Sequence, residues 1–230
     1  MTDEKRDEKK RPYAKRRRAE LEAYTRQRIT ESTVELHGTL GPAHTSISAV
    51  AEHAGVRRST VYRHFPDEVA LFAACTSHWM SRNQPPDPAR WAAIDDRDER
   101  LRFALQELYG YYRRTEQMMS NLHRDEATMS NVRRFFAGFR EYLAGVREIL
   151  MRGRPSRGAA RRRERAAVGH ALAFPTWRSL ALEEGLDDAQ ASDLMCHLVA
   201  AAGRGRANEP TSRRREGRRA AMTRVAEPAP

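Results

Sequence analysis

Between Arg57 and His64 the chain reads RRSTVYRH, which gathers three guanidiniums, two hydroxyls, a phenol and an imidazole within eight positions. Arginine binds guanine O6 and N7 bidentately in a major groove, and hydroxyl or imidazole groups hold phosphate oxygens. At helical spacing Val61 faces inward, leaving Arg57, Arg58, Ser59, Tyr62 and Arg63 on the outer side. The chemistry that these types suit is recognition of a nucleic acid. An ordinary solvated helix is the plain alternative.

A reading helix must be held at a fixed angle. That requires a small residue where two helices touch, a residue tolerant of positive φ in the turn, and apolar residues on the inner face. Ala51, Gly55, Val56 and Val61 meet these needs, as in a helix-turn-helix. The rest of the chain is helical in period. Ile29, Thr33, Leu36 and Leu40 predict a first helix over about 17–38, ended by GTLGPAH. A short helix over about 46–53 follows, with Thr45 as its N-cap, then a helix from Arg58 to Phe65 and another beginning near Asp67. The prolines of NQPPDP, Asn83 to Pro88, remove amide donors and mark a boundary between two regions. Beyond it, Leu101, Ala104, Leu105, Leu108 and Tyr112 predict a helix starting near Asp96. Val132, Phe135, Phe136, Phe139, Leu143, Val146 and Leu150 predict a long amphipathic one. A helix over about 158–183, kinked near Pro175, and a last one over about 188–202 complete an all-α chain.

The formal net charge of +11 points to polyanionic partners, but its location matters. Residues 1–18 carry nine Lys/Arg against four Asp/Glu, and residues 203–230 carry eight Arg against three Glu. Residues 19–202 are nearly neutral, with 25 basic against 24 acidic side chains, and residues 19–79 have a net of −2. The excess therefore lies in two segments expected to be disordered, a basic N-terminal arm over 1–18 and a basic tail over 203–230. Lys15, Arg16, Arg17 and Arg18 are candidate backbone or minor-groove contacts, with a solvated charge run as the alternative. Cys75 and Cys196 are the only cysteines and show no pairing pattern, so a reduced intracellular protein is expected. With neither an apolar leader nor a run long enough to span a bilayer, the expectation is a cytoplasmic chain with no membrane partner.

TSISAVAEHAGVRRSTVYRHFPDEVALFAAC, residues 45–75, closely resembles the DNA-binding domain of TetR-family (tetracycline-repressor-like) transcriptional regulators. Thr45, Ala54-Gly55-Val56, Thr60, Tyr62, His64 and Phe65 match in order and spacing; the resemblance covers about residues 26–75. It implies an N-terminal three-helix helix-turn-helix domain over 19–83 and a C-terminal helical, effector-binding and dimerisation domain over 89–202. It also implies a homodimer whose two recognition helices enter successive major grooves of a palindromic operator in double-stranded DNA. Thr45, Thr60, Tyr62 and His64 would hold phosphates, Arg57, Arg58 and Ser59 would supply base contacts with Arg63 on the same face, and Phe65 would be core. The chain departs from the family at Asp67-Glu68, where Ser-Lys is usual, so a lysine–phosphate contact is lost or replaced. His37 and Leu40 stand where the first helix usually carries Phe and a polar residue, and Arg57 replaces a common Ser N-cap worth about 1 kcal/mol.

Met118, Met119, His123, Phe135, Phe139, Phe174 and Trp177 are large, soft side chains of the second region. Such residues are ordinary core, but the resemblance implies an apolar cavity among these helices for a small effector. On the last two helices, Leu182, Leu194, Leu198 and Val199 are expected to pack against symmetry mates as a four-helix interface. His-Arg-Asp within LHRDEATMSN superficially matches a kinase catalytic loop, but the required asparagine is displaced and no Gly-rich phosphate loop exists. His37, His53, His123, His170 and His197 show no metal-ligand spacing. No catalytic residue, cofactor or metal is expected. The sequence thus implies a DNA-binding regulator, a repressor released from its operator by a small effector. A small-molecule sensor or interaction module with weak, tail-driven, non-specific DNA binding is the alternative.

Overall fold

A computed structural model describes residues 4–204, with the side chains of Tyr13 and of residues 15–204. The expected basic tail beyond Arg204 lies outside the described residues. Ten α-helices carry the fold, and no strand occurs among the described residues. They are α1 (Glu4–Thr39), α2 (Ile47–His53), α3 (Arg58–His64), α4 (Glu68–Arg82), α5 (Pro88–Ala92), α6 (Arg97–Asp125), α7 (Ser130–Leu150), α8 (Gly158–Ala171), α9 (Phe174–Arg178) and α10 (Asp188–Gly203). A 3-10 turn at Pro42–His44 precedes α2, and α9 runs on into one π turn at Ser179–Glu183.

Three local expectations change. From Glu4 onward the N-terminal arm continues α1 instead of forming a disordered segment. Residues 15–24 of this helix are exposed and carry i,i+4 pairs, Arg16–Glu20 at 2.9 Å and Arg18–Glu22 at 3.2 Å. Ser46, not Thr45, caps α2, accepting from the Ala49 amide at 3.1 Å, while the Thr45 hydroxyl donates to the Gly41 carbonyl at 2.8 Å. The kink expected near Pro175 is a full break after Ala171. Pro175 sits in the first turn of α9, where its missing amide is not needed. The Tyr109 and Tyr112 hydroxyls bind the freed Ala171 and Leu172 carbonyls at 2.9 and 2.6 Å.

The N-terminal core is small, built on Ile29, Val50, Ala51, Val61, Phe65 and Leu71. The C-terminal core is larger and aromatic: Tyr112 packs against Phe139, Phe174 and Trp177 with ring centres 5.3–6.4 Å apart. α5, which no periodicity marked, is capped by Asp87 and buries Trp91, whose indole donates to Glu107 at 2.7 Å.

A polar latch joins the two parts. Asn121 on α6 donates to the His37 and Gly38 carbonyls at 3.1 and 2.7 Å, satisfying the open end of α1. Arg124 donates to the Leu40 carbonyl at 2.8 Å, and Asp125 accepts from the Ala43 amide at 2.9 Å. Gly41, at φ +92°, passes so close that a Cβ there would collide with the Arg124 guanidinium. Arg124 and Asp125 of the His-Arg-Asp triplet, with Asn121, thus form an interdomain clamp. Beside it His37 is buried, 3.5 Å from the Cys75 thiol and against the Phe72 ring.

Burial lowers the His37 pKa from 6.5 to about 4, against an opposing pull from Asp125. Between those values the unfolded chain binds a proton that the folded chain refuses, so stability present above pH 6.5 is lost as pH falls toward 4. The thermal midpoint of the wild type is expected to fall more steeply across this window than that of His37→Phe. Parallel curves would contradict the assignment.

Candidate nucleic-acid interface

The turn between α2 and α3 is closed by the Val56 amide donating to the Ala51 carbonyl at 2.9 Å. Gly55 supplies φ +62°, the left-handed conformation that a side chain disfavours. α3 then begins at Arg58, and Arg57 in the N-cap position offers no side-chain bond to its amides. Val61 and Phe65 are buried, which fixes the helix by its inner edge. On the other side Arg57, Arg58, Ser59, Tyr62 and Arg63 are all exposed. Among the described residues no carboxylate or carbonyl engages the three guanidiniums. Three unpaired cations on one small face make a surface suited to an anion.

The residues that hold this face were not visible in the sequence. Arg26, on α1, donates to the His64 carbonyl at the end of α3 and stacks over the Phe65 ring at 4.1 Å. Arg28, one turn-fraction further, donates to the Ala54 carbonyl and to the Gly55 carbonyl at 3.3 Å, closing the end of α2. A cation at a helix C-terminus is worth about 0.3–1 kcal/mol when exposed and up to about 2 when partly buried. Spacing along α1 gave no signal of these contacts, which span 38 and 26 positions.

The remaining expected contacts are less uniform. Thr45 and Thr60 are half-buried beside the exposed group. His64 is also half-buried, with Nε2 enclosed and unpartnered. Its pKa is lowered by desolvation first and then by Arg63 and Arg26, which favours the neutral imidazole. Lys15, Arg16, Arg17 and Arg18 are exposed on α1, but Arg16 and Arg18 are engaged by Glu20 and Glu22. Asp67 is the N-cap of α4, accepting from the Ala70 amide at 2.7 Å, so this departure from the family has a structural use.

Of the seven expected effector residues, Met118 and Phe135 line a cavity of about 20 Å³ between α1, α4, α6 and α7. Met119, Phe139, Phe174 and Trp177 are instead packed into the core, and the half-buried His123 lies between Phe136 and Phe174, at 4.3 and 5.0 Å. Leu182, Leu194 and Leu198 are exposed, between 39% and 50%. Val199 departs from expectation: it is fully buried within its own chain, so it cannot face a symmetry mate.

The fold and the exposed basic helix are those of a helix-turn-helix unit. Residues 29–75 match the family model for bacterial regulatory proteins, tetR family. A TetR-like transcriptional regulator from Rhodococcus sp. RHA1 superposes with a TM-score of 0.58 at 19% identity, covering 78% of this chain and 97% of its own. AibR, solved in complex with isovaleryl coenzyme A and operator DNA, superposes at 0.55 with 18% identity, covering 76% and 97%. A second Rhodococcus transcriptional regulator gives 0.51 at 18% identity, covering 77% and 95%. Comparison with curated proteins gives no match. Residues 29–75 thus match that family's model, and the described fold is shared with TetR-like regulators.

Removing both α1 arginines, Arg26→Ala with Arg28→Ala, is expected to cost about 1–3 kcal/mol of stability, read as a lower urea midpoint. An unchanged midpoint would show that the two capping contacts contribute nothing.

Proposed function

We infer that the protein is a dimeric, sequence-specific repressor that leaves a palindromic operator when a small molecule binds. The observation that carries this reading is the unpaired guanidinium face of Arg57, Arg58 and Arg63 on a helix clamped from behind. Arg57, Arg58 and Ser59 stand at the N-terminal end of α3 and take the base edges. Thr45, Thr60 and Tyr62 flank them and hold phosphates. Leu182, Leu194 and Leu198 bring two copies together, so that the two α3 helices face grooves about 34–36 Å apart. AibR, of the same fold, was solved with both an acyl coenzyme A and operator DNA, which supports coupling of a ligand to DNA in this architecture.

Selection of bound sequences from random duplex DNA is expected to return an inverted repeat. Arg58→Ala should weaken binding to it by about 10- to 100-fold, the cost of one bidentate base contact. Binding that survives this change and follows salt concentration alone would instead favour the tail-driven, non-specific module. Leu194→Glu with Leu198→Glu should convert the protein to a monomer by sedimentation and abolish operator binding; a dimer that persists would place the interface elsewhere.

A further inference from the structure

Phe72, half-buried on α4, is a shared wall of three voids at the junction of the two domains. The innermost is the 20 Å³ cavity, where Val34 and His37 of α1 face Cys75 of α4, Met118 of α6 and Phe135 of α7. It has room for about one water and no more. A second void of about 50 Å³ reaches toward Pro42 and Thr45 beneath the α1–α2 turn. The third is a surface groove of about 330 Å³ between α4 and α7, bordered by Val69, Thr76 and Arg134. Small-molecule sites commonly enclose about 300–1,000 Å³. The groove has that size, and Phe72, Thr76 and Phe135 are all that it shares with the inner cavity.

The inner end has a distinct chemistry. His37 is 8% exposed, its Nδ1 lies 3.5 Å from the Cys75 sulfur, and no group among the described residues bonds its Nε2. The imidazole is held neutral, and burial pushes the Cys75 thiol up to about 12, so it stays protonated. The nearby Asp125 carboxylate is already committed to Arg124 and the Ala43 amide. A charged ligand group at this end would lose its hydration and meet no free counter-charge. A neutral group able to bond one imidazole nitrogen would not. The sole charged side chain bordering the groove is Arg134, at its outer side.

We propose that this junction is the effector-binding site, occupied by a slender apolar molecule that carries an uncharged hydrogen-bonding group at its inner end and is admitted when Phe72 swings out from between groove and cavity. The proposal rests on the reading of the chain as a ligand-released regulator, and it gives that reading a location. The site is built half from the DNA-binding part: Val34 and His37 lie on the same helix that carries Arg26 and Arg28. A molecule inserted there separates α1 from α4 directly. The aromatic core around Tyr112 need not open.

The test uses the full-length protein and a neutral, apolar fluorescent amine, 1-N-phenylnaphthylamine, as probe. Wild-type protein is expected to bind it with enhanced emission. Thr76→Trp, which fills the groove from a half-exposed position, should weaken binding at least tenfold. Phe72→Ala should strengthen it severalfold, and His37→Phe should weaken it about threefold or more. Operator binding without probe serves as the folding control for each variant. Equal affinity across all four proteins, or no binding even to Phe72→Ala, overturns the site. Loss of probe binding in Thr76→Trp supports the site; whether probe then lowers wild-type operator affinity tests the ligand-release reading separately.

Discussion

Two seven-residue helices cannot hold their own shape, because isolated helices shorter than about 12–15 residues are marginal in water. What α2 and α3 lack is supplied from α1. Arg26 and Arg28 bind the open carbonyl ends of α3 and α2, and Ile29 on the same helix enters their core. Reading-face geometry is therefore a property of α1 as much as of the turn at Gly55. The far end of α1 is held in turn by Asn121, Arg124 and Asp125 of α6. One continuous helix thus connects the recognition surface to the larger domain, and whatever shifts α1 against α4 or α6 must also move α3.

The same use of arginine recurs through the molecule and accounts for a basic protein with a nearly neutral body. Arg100 is buried and donates to four carbonyls, those of Ile94, Asp95, Ile149 and Arg152, gathering the end of α7 and the turn before α6. Arg154 is buried against Glu164 at 2.9 Å and also binds the Leu150 and Arg97 carbonyls. A planar, five-donor cation suits such sites, since it can satisfy several orphan acceptors at once. Among the described residues, Arg57, Arg58 and Arg63 make no such bond, and they share one exposed face of a seven-residue helix.

The recognition unit was legible because its requirements are local. Gly55 at positive φ, Ala51 and Val61 packed inward, and an exposed face opposite Val61 all follow from spacing over about fifteen residues. Helix period and caps likewise gave the starts of α4 and α6 and the extent of α7. The contacts that position the unit were not legible, because Arg26 meets His64 across 38 positions and Asn121 meets His37 across 84. Periodicity carries no information about such pairs. The expected effector residues divide, and Met118 and Phe135 border the void beside Phe72. Phe139 packs against Tyr112 and Phe174 against Trp177, while a void lies where α1 and α4 meet beside Phe72. Val199 shows the same limit: its i+4 relation to Met195 and its i+1 relation to Leu198 cannot say which face looks outward.

The central claim is that α1 holds the reading helices by their carbonyl ends. Native-state hydrogen exchange of the amides in α2 and α3 tests it most directly, comparing wild type with a protein lacking both guanidiniums at positions 26 and 28. The account predicts exchange faster by roughly tenfold in α2 and α3, with the α6 amides unchanged. Equal protection of α2 and α3 in the two proteins would contradict it.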